Sequence, residues 1–335
     1  MNHGHFNGTH YEIGFKWGAL LAKRGNFILN NIGFPITPER LEFSKACIPI
    51  YQEYFPEILE EIRGIADGQN CDVEILQAFL LSMYAMPPSC NCSCFAVVNE
   101  EQILFGRNSD FLTELEKGNM NVIYRFSSQS YAFTGNTTAF VQMEDGINEH
   151  GLAIGLTSIQ PLSVKPGMNA GLLLRYFLEK CKNTHEVIEC IYALPICSAQ
   201  TFTVADTSGE IAVIECCSEK VSIIYPSEYK PYVCATNVFH SDPMKRFNLS
   251  EIDNWQAELR YQTLDDALTQ IANRLDCNTA ADILSGKYGF LCQYDRNTGK
   301  DTVWSVIYDL TNRRINRAEG NPARRSFKTD TRFHF

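Results

Sequence analysis

The chain has 335 residues, of which 45% are hydrophobic and 20% are charged, as in a soluble globular protein with a sizeable core. That length holds one large domain or two ordinary ones. The net charge of −10 argues against a general nucleic-acid binder, because contact with phosphates needs a basic face. No apolar run of about 18 residues occurs, and the N-terminus lacks a signal-peptide pattern. We therefore expect a cytoplasmic protein without a membrane partner.

Residues 1–89 have the pattern of a helical segment. Apolar residues recur at helical spacing in residues 12–23 and 73–84, and Pro56 stands at the first turn of a further predicted helix. Pro87 and Pro88 would end the last helix.

After residue 91 the pattern becomes rich in strands and begins with a hairpin. Residues 95–98 form a short apolar run, a turn follows, and residues 102–105 form the returning strand. This antiparallel return brings Arg107 and Asp110 back beside a cysteine cluster. A thiol next to an arginine and a carboxylate is how a nucleophile with a lowered pKa, and a held amine, would be assembled.

The remaining predicted elements alternate between strands and helices. Further strands are predicted at residues 121–126, 138–143, 152–157, 201–205, 210–216, 232–236, 290–294, 302–310 and 314–318, with a turn-rich connector at residues 145–151. Helices are predicted at residues 170–181, 185–194 (capped by Thr184) and 257–275. Hairpins between neighbouring strands imply antiparallel sheets, whose outer faces the amphipathic helices must cover. The expected fold is therefore α+β, a four-layer αββα sandwich of two antiparallel sheets.

The 13 cysteines are many for this length, and an odd number cannot all pair within one chain. Several lie in core-like runs such as residues 213–217 and 232–235, where a free cysteine acts as a small hydrophobic residue. We therefore expect a reducing compartment and no disulfide framework.

The stretches from Cys92 to Ala96 and from Gly106 to Asp110 resemble a known family. They are similar to the N-terminal-nucleophile (Ntn) hydrolases of the choloylglycine hydrolase, penicillin V acylase and isopenicillin N acyltransferase group, and closest to the acyltransferase-like branch. Residues 10–14 and 56–68 resemble the pro-segment of that branch. The resemblance extends from about Gly4 to Pro322. The Ntn family uses the αββα plan, so pattern and resemblance agree.

The resemblance implies that the chain cleaves itself between Asn91 and Cys92. Residues 1–91 would remain bound as a helical small chain, and residues 92–335 would form the catalytic chain of one compact domain. Asn91 departs from the Gly that relatives often have there, but Asn tolerates positive φ better than most other residues. Cys90 and Cys94 fit the motif less well, and Cys94 would be a packed wall residue on the same side of the strand as Cys92.

The roles of the other candidate residues also follow from the resemblance. Arg107 would lower the pKa of the thiol, and Asp110 would orient the new α-amine. Asn237 would supply an amide to the oxyanion hole, and Arg260 would complete the polar network. Thr157 stands where several relatives have Asn or Tyr, so a backbone N–H there would be the second oxyanion donor.

A free α-amine, with an unperturbed pKa of about 8, can accept the thiol proton without a catalytic histidine. None of the seven histidines has a convincing base signature, and only His240 lies near another matched motif. Structural explanations stay open for each residue. Arg107 and Asp110 could be an ion pair at a strand end, Asn237 a turn residue and Arg260 a solvated helix residue.

We therefore predict a self-processing cysteine hydrolase that cleaves a linear, non-peptide amide of a small molecule through an acyl-Cys92 intermediate, without a cofactor or a metal. The first alternative is an acyltransferase that moves an acyl group from a thioester, such as an acyl-CoA, or from an amide to an amine. Two other classes stay open, namely a thiolate metal site at the clustered cysteines and a non-catalytic binding protein on the same fold. Formation of homo-oligomers is also left open.

Overall fold

A computed structural model describes residues 1–86 and 91–335 of the chain. Fourteen strands and eight α-helices are formed by these residues. The strands are β1 (Asn2–Gly8), β2 (Asn91–Val98), β3 (Ile103–Leu112), β4 (Met120–Phe126), β5 (Phe133–Thr137), β6 (Asp145–Asn148), β7 (Ala153–Ile159), β8 (Ala199–Ala205), β9 (Ile211–Cys216), β10 (Val221–Ile224), β11 (Tyr232–Ala235), β12 (Lys300–Asp309), β13 (Arg314–Ala318) and β14 (Lys328–Asp330). The helices are α1 (His10–Lys23), α2 (Pro38–Tyr54), α3 (Pro56–Gln69), α4 (Val73–Ser82), α5 (Ala170–Lys180), α6 (Thr184–Ala193), α7 (Ala257–Ile271) and α8 (Cys277–Leu284).

The strands form two sheets. The first has the order β1-β4-β5-β6-β7-β8-β9-β10, and the second has the order β11-β2-β3-β12-β13-β14. Neighbouring strands pair antiparallel except at the edge of the first sheet, where β1 runs parallel to β4. The apolar cluster between the sheets joins Ile147 and Ala153 of the first sheet to Phe105 and Val306 of the second. The two sheets therefore pack face to face.

Helices cover the outer face of each sheet. Phe177 of α5 belongs to one apolar cluster with Phe202 of the first sheet, and the N-terminal helices belong to the same cluster. On the other side, Leu268 of α7 packs in a cluster with Phe95 of β2. The predicted α+β class and the four-layer αββα sandwich are confirmed.

The first hairpin, the strand pattern after it and most of the helices agree with the predicted elements. Pro56 is the first residue of α3, where its missing N–H costs no helical hydrogen bond. The tight turn at residues 206–209 joins β8 to β9. The predicted helix stop at Pro87 and Pro88 lies outside the described residues, as does Cys90.

Four local predictions are wrong. Residues 138–143 form a loop rather than a strand, and residues 290–294 lie in a loop whose backbone is bonded by the Gln293 side chain. The connector at residues 145–151 contains strand β6. The cap of α6 is Asn183 rather than Thr184, because the Asn183 side chain accepts a hydrogen bond from the Glu186 backbone N–H at 2.9 Å.

The N-terminal segment is joined to the rest of the protein by a sheet edge and a helical layer. Strand β1 was not predicted; its side chains are partly or fully exposed, so it lacks a buried apolar alternation. Helices α1 and α3 cross so closely that a Cβ on Gly14 would lie 2.0 Å from the Glu61 carbonyl oxygen. No helix in the described part of the chain is long and apolar enough to cross a membrane.

A buried ionic cluster connects this segment to α5. The Arg175 guanidinium contacts Glu61 of α3 at 2.7 Å and Glu179 one turn along α5. His10 of α1 lies 2.8 Å from the other oxygen of Glu179, and the Tyr124 hydroxyl donates to Glu61 at 3.0 Å. Burial acts to raise the pKa of Glu179, but Arg175 and His10 lower it to about 2. The Glu179 carboxylate is therefore kept charged in the core by its contacts with Arg175 and His10.

Removal of Arg175 should destabilise the protein far more than removal of a surface arginine. Arg175→Met removes the guanidinium that two buried carboxylates share, and the expected loss in the free energy of unfolding is about 3–5 kcal/mol. Arg63→Met, which breaks an exposed pair with Glu60, should cost about 1 kcal/mol or less. Urea unfolding measures both, and equal losses would contradict this account. Because the pKa of Glu179 is depressed on folding, its contribution is present above about pH 4.3 and is lost as pH falls through about 2.

Candidate active site

The register of β2 and β3 places the candidate side chains on two faces of the second sheet. Cys92 lies opposite Ser109, and Cys94 lies opposite Arg107. Directly opposite residues share a face, and Cys94 belongs to the cluster between the sheets. The Cys92 thiol and the Arg107 side chain therefore face the first sheet. Asp110, one residue out of phase, belongs to the opposite face.

The Arg107 guanidinium contacts the Cys92 sulfur at the centre of the protein. Its Nη2 donates to Cys92 Sγ at 2.8 Å, and the Leu156 carbonyl oxygen accepts from Nη2 at 3.1 Å and from Nε at 3.2 Å. Its Nη1 donates to Asp145 Oδ2 at 2.9 Å, and Glu144 Oε2 lies 3.6 Å from Nη2. Burial alone would lower the pKa of Arg107, but Cys92 and the two carboxylates raise it. A fixed positive charge against the sulfur favours the thiolate.

Asp145 holds this guanidinium in place. Besides Arg107, the carboxylate accepts hydrogen bonds from Trp304 Nε1 at 2.8 Å, from the Tyr308 hydroxyl at 2.8 Å and from Asn136 Nδ2 at 2.5 Å. All five residues are buried. Because Asp145 lies in the first sheet and Arg107, Trp304 and Tyr308 lie in the second, packing of the two sheets holds the guanidinium in its orientation beside the sulfur.

Asn237 and Arg260 hold the backbone on both sides of the Cys92 side chain. Asn237 Oδ1 accepts from the Cys92 backbone N–H at 2.9 Å and from Arg260 Nη2 at 2.9 Å. Arg260 Nη1 donates to the Cys92 carbonyl oxygen at 2.6 Å and to Ser93 Oγ at 2.9 Å. Asn237 Nδ2 donates to the Ser158 carbonyl oxygen at 2.6 Å. The two side chains thus orient both peptide units of Cys92.

Asp110 joins the same network from the helix-facing side of the sheet. Its carboxylate lies 3.6 Å from Arg260 and accepts from Thr302 Oγ1 at 2.6 Å and from the Tyr294 hydroxyl at 3.0 Å. Burial raises the pKa of Asp110 to about 6, against the opposing effects of Arg260 and the two hydrogen bonds. Asp110 lies opposite Asn91 in the strand pair, at the start of β2.

Asn91, the residue before the nucleophile candidate, is buried against the loop that precedes α7. With its amide oriented to match its neighbours, the Asn91 side chain donates to the Asn254 carbonyl oxygen at 3.0 Å and accepts from Trp255 Nε1 at 3.2 Å. Arg260 donates to the same Asn254 oxygen at 3.0 Å. The 91–92 peptide bond is therefore fixed on both sides.

Thr157 is a neighbour of the cluster rather than a part of it. Its hydroxyl donates to the Thr236 carbonyl oxygen at 2.7 Å and contacts Thr201 Oγ1 at 2.6 Å. Because Thr236 precedes Asn237, Thr157 supports the position of that residue. These contacts occupy the hydroxyl of Thr157.

Neither Cys94 nor His240 has the properties of a catalytic group. Burial raises the pKa of Cys94 to about 12 although Arg107 opposes it. His240 stacks on Tyr261 with ring centroids 3.4 Å apart, and burial together with Lys245 lowers its pKa to about 4. A histidine with that pKa is a weak base near pH 7. Within residues 1–86 and 91–335, no three His, Cys, Asp or Glu side chains form a group that could hold a metal ion.

Four residues of the site, namely Asp145, Glu144, Thr302 and Tyr294, are not indicated by any pattern in the sequence. Asp145 stands in the stretch that we predicted to be a turn-rich connector, so its carboxylate gave no signal of burial. Thr302 belongs to a predicted strand, but only the register with β3 brings it opposite Asp110. The charged residues that surround Arg107 therefore depend on tertiary packing, which a single sequence does not reveal.

Comparison with known proteins gives the class of the chain. The model of the acyl-coenzyme A:6-aminopenicillanic acid acyl-transferase family matches residues 97–324. The chain belongs to this family, and the resemblance to Ntn hydrolases and acyltransferases is confirmed. It is an enzyme of that type. The match includes the positions of Arg107, Asp110, Asn237 and Arg260 and begins five residues after Cys92.

A sequence search of curated proteins found no match. Three solved structures are similar to the chain. A penicillin V acylase from Agrobacterium tumefaciens has a TM-score of 0.47 and 15% identity over 68% of this chain and 83% of its own. A Caenorhabditis elegans ortholog of N-acylethanolamine-hydrolyzing acid amidase has a TM-score of 0.48 and 16% identity over 66% and 93%. A mutant of conjugated bile acid hydrolase from Clostridium perfringens has a TM-score of 0.48 and 16% identity over 72% and 97%.

Replacement of Arg107 by lysine should make the Cys92 thiol harder to ionise. A lysine cannot contact the sulfur, Asp145 and Leu156 at the same time, so the positive charge moves away from Sγ. The midpoint of Cys92 alkylation by iodoacetamide against pH, followed by peptide mass spectrometry, should rise by about 1 unit or more. Arg296→Lys, at a surface pair with Glu116, is the matched control and should not move it. An unchanged midpoint in Arg107→Lys would show that the guanidinium does not tune the thiol.

Proposed function

We propose that the protein is a self-processing cysteine hydrolase that cleaves a linear, non-peptide amide through an acyl-Cys92 intermediate. The observation that carries the proposal is the 2.8 Å contact between Arg107 Nη2 and Cys92 Sγ on a strand whose backbone is fixed at the same residue by Asn237 and Arg260. A positioned thiol with a buried cation beside it is an activated nucleophile.

Self-cleavage at the Asn91–Cys92 bond would convert the Cys92 amide nitrogen into an α-amine. The resulting fragments, residues 1–91 and 92–335, would remain together for a physical reason. The smaller fragment supplies strand β1 to the first sheet, and its Glu61 and His10 belong to the buried cluster around Arg175. Separation would expose those charges and the shared core, so the small chain should stay bound.

Each residue then has a defined role in the reaction. The α-amine takes the thiol proton, and the thiolate attacks the acyl carbonyl carbon. Asn237 and a backbone N–H near Thr157 hold the oxyanion, and a donor of this kind typically contributes about 3 kcal/mol. The ammonium returns its proton to the departing amine. Water then hydrolyses the thioester and restores Cys92. Asp110 orients the amine, and Arg260 keeps Asn237 in place.

Acyl transfer is the second candidate. The description of the family names an acyl-coenzyme A as acyl donor, which favours a thioester substrate and an amine acceptor. The same acyl-Cys92 would form, and an amine would replace water in the second step. The two candidates differ only in the acceptor, so the residues around Cys92 serve both.

Processing should leave two associated fragments, one ending at Asn91 and one starting at Cys92. N-terminal sequencing and intact-mass analysis of the purified protein test this. Cys92→Ala should abolish cleavage, whereas Cys94→Ala, which replaces a buried wall residue with a small apolar one, should retain some. A new terminus at residue 90 or 94 would move the nucleophile and reject the assignment.

The α-amine mechanism predicts unequal effects at Asp110 and His240. Asp110→Asn keeps the shape but weakens the placement of the amine, so kcat should fall about 100-fold or more. His240→Ala should change kcat little, because that ring packs on Tyr261. Steady-state rates of both variants, measured on protein that has already cleaved itself, distinguish the two mechanisms. An inactive His240→Ala with an active Asp110→Asn would replace this mechanism by a Cys–His one.

A further inference from the structure

Two cysteines far along the chain from Cys92 are in direct contact. Cys181 follows the last residue of α5, and Cys190 lies in α6. Their sulfur atoms are 3.7 Å apart, with the Cys181 thiol directed at Cys190. Neither Cys181 nor Cys190 is part of a disulfide in this structure.

The backbone around both thiols is held by hydrogen bonds, so a disulfide would have to form by rotation of the two side chains. The Cys181 N–H donates to the Phe177 carbonyl oxygen at 3.0 Å, and its own carbonyl accepts from Asn148 Nδ2 at 2.7 Å. The Cys190 carbonyl oxygen accepts from the Leu194 N–H at 3.2 Å. A disulfide has an S–S distance of about 2.05 Å, so the two sulfurs must approach each other from 3.7 Å for the bond to form.

The two thiols have unequal access and unequal acidity. Cys181 is buried, whereas Cys190 is half-buried and therefore partly exposed to solvent. The contact with the Cys181 thiol lowers the pKa of Cys190, and the same contact, together with burial, raises the pKa of Cys181. Cys190 is therefore the attacking thiol and Cys181 the resolving one.

We propose that Cys181 and Cys190 are a reversible dithiol–disulfide site that reacts with small-molecule disulfides. The Cys190 thiolate attacks one sulfur of a disulfide RS–SR, which forms a mixed disulfide and releases RS⁻. The Cys181 sulfur, after losing its proton, attacks the Cys190 sulfur and releases the second RS⁻. The pair loses two electrons and two protons, and the reagent is reduced to two RSH. The proposal is independent of the acyl chemistry at Cys92.

The disulfide would restrain the helix that holds the N-terminal segment. Arg175 and Glu179 of α5 make the buried contacts to Glu61 and His10. A bond from the end of α5 to α6 closes a short loop and limits how far α5 can unfold alone. The oxidised protein should therefore have a higher Tm than the reduced protein, by about 3–4 °C.

The test uses the full chain carrying Cys92→Ala, so that the candidate nucleophile neither cleaves nor reacts. The probe is hydroxyethyl disulfide, which is uncharged and suits a thiol flanked by Glu186 and Glu189. We expect the loss of two alkylatable thiols, one Cys181–Cys190 crosslinked peptide and the stated rise in Tm, all reversed by a dithiol. Cys181→Ser should trap the reagent on Cys190. Cys71→Ser, at another half-buried cysteine, should leave the crosslink unchanged.

Other outcomes overturn the proposal. A stable mixed disulfide on Cys190 while Cys181 is present would show that the two sulfurs cannot meet. No reaction at either residue, with Cys71 modified under the same conditions, would show that the reagent does not reach the pair. Formation of the crosslink without a rise in Tm would reject the restraint on α5.

Discussion

The Arg107 guanidinium, which contacts the Cys92 sulfur, carries a full positive charge and lies between two β-sheets. Such a charge is costly to bury unless its partners are close and correctly oriented. Here the partners come from both sheets: Cys92 from β2, Asp145 from β6 and the Leu156 carbonyl from β7. The guanidinium beside the thiol is therefore stabilised only when the two sheets pack face to face.

The other face of β2 completes the arrangement. Arg260 extends from α7 to the Cys92 carbonyl oxygen and to Asn237, so a helix of the outer layer fixes the peptide units of the nucleophile candidate. Burial keeps the pKa of the nearby Asp110 at about 6, against the pull of Arg260. The Cys92 side chain on β2 thus faces the first sheet, and the Cys92 carbonyl oxygen is bonded by Arg260 of α7, on the outer side of the second sheet. This explains why the motif combines residues from the start of β2 with residues from the middle of β3.

The local features of the site could be predicted from the sequence, and its surroundings could not. The apolar run at residues 95–98 and the turn after it predict a hairpin, and the hairpin fixes Arg107 near the cysteines. Asp145 could not be recognised because its role depends on which strand of the first sheet faces Arg107. The same limit explains the wrong strand at residues 138–143. That segment has apolar and β-branched residues, but its Thr138 bonds to Glu144 beside the active site and ends the strand at Thr137.

The most direct test of the central claim is an intact-mass screen of the purified protein with a library of acyl amides and acyl thioesters, followed by peptide mapping. The account predicts a mass gain of one acyl group on the peptide that begins with Cys92, and none on the Cys92→Ala protein. An acyl group found on another residue, or an adduct that persists in Cys92→Ala, would contradict it.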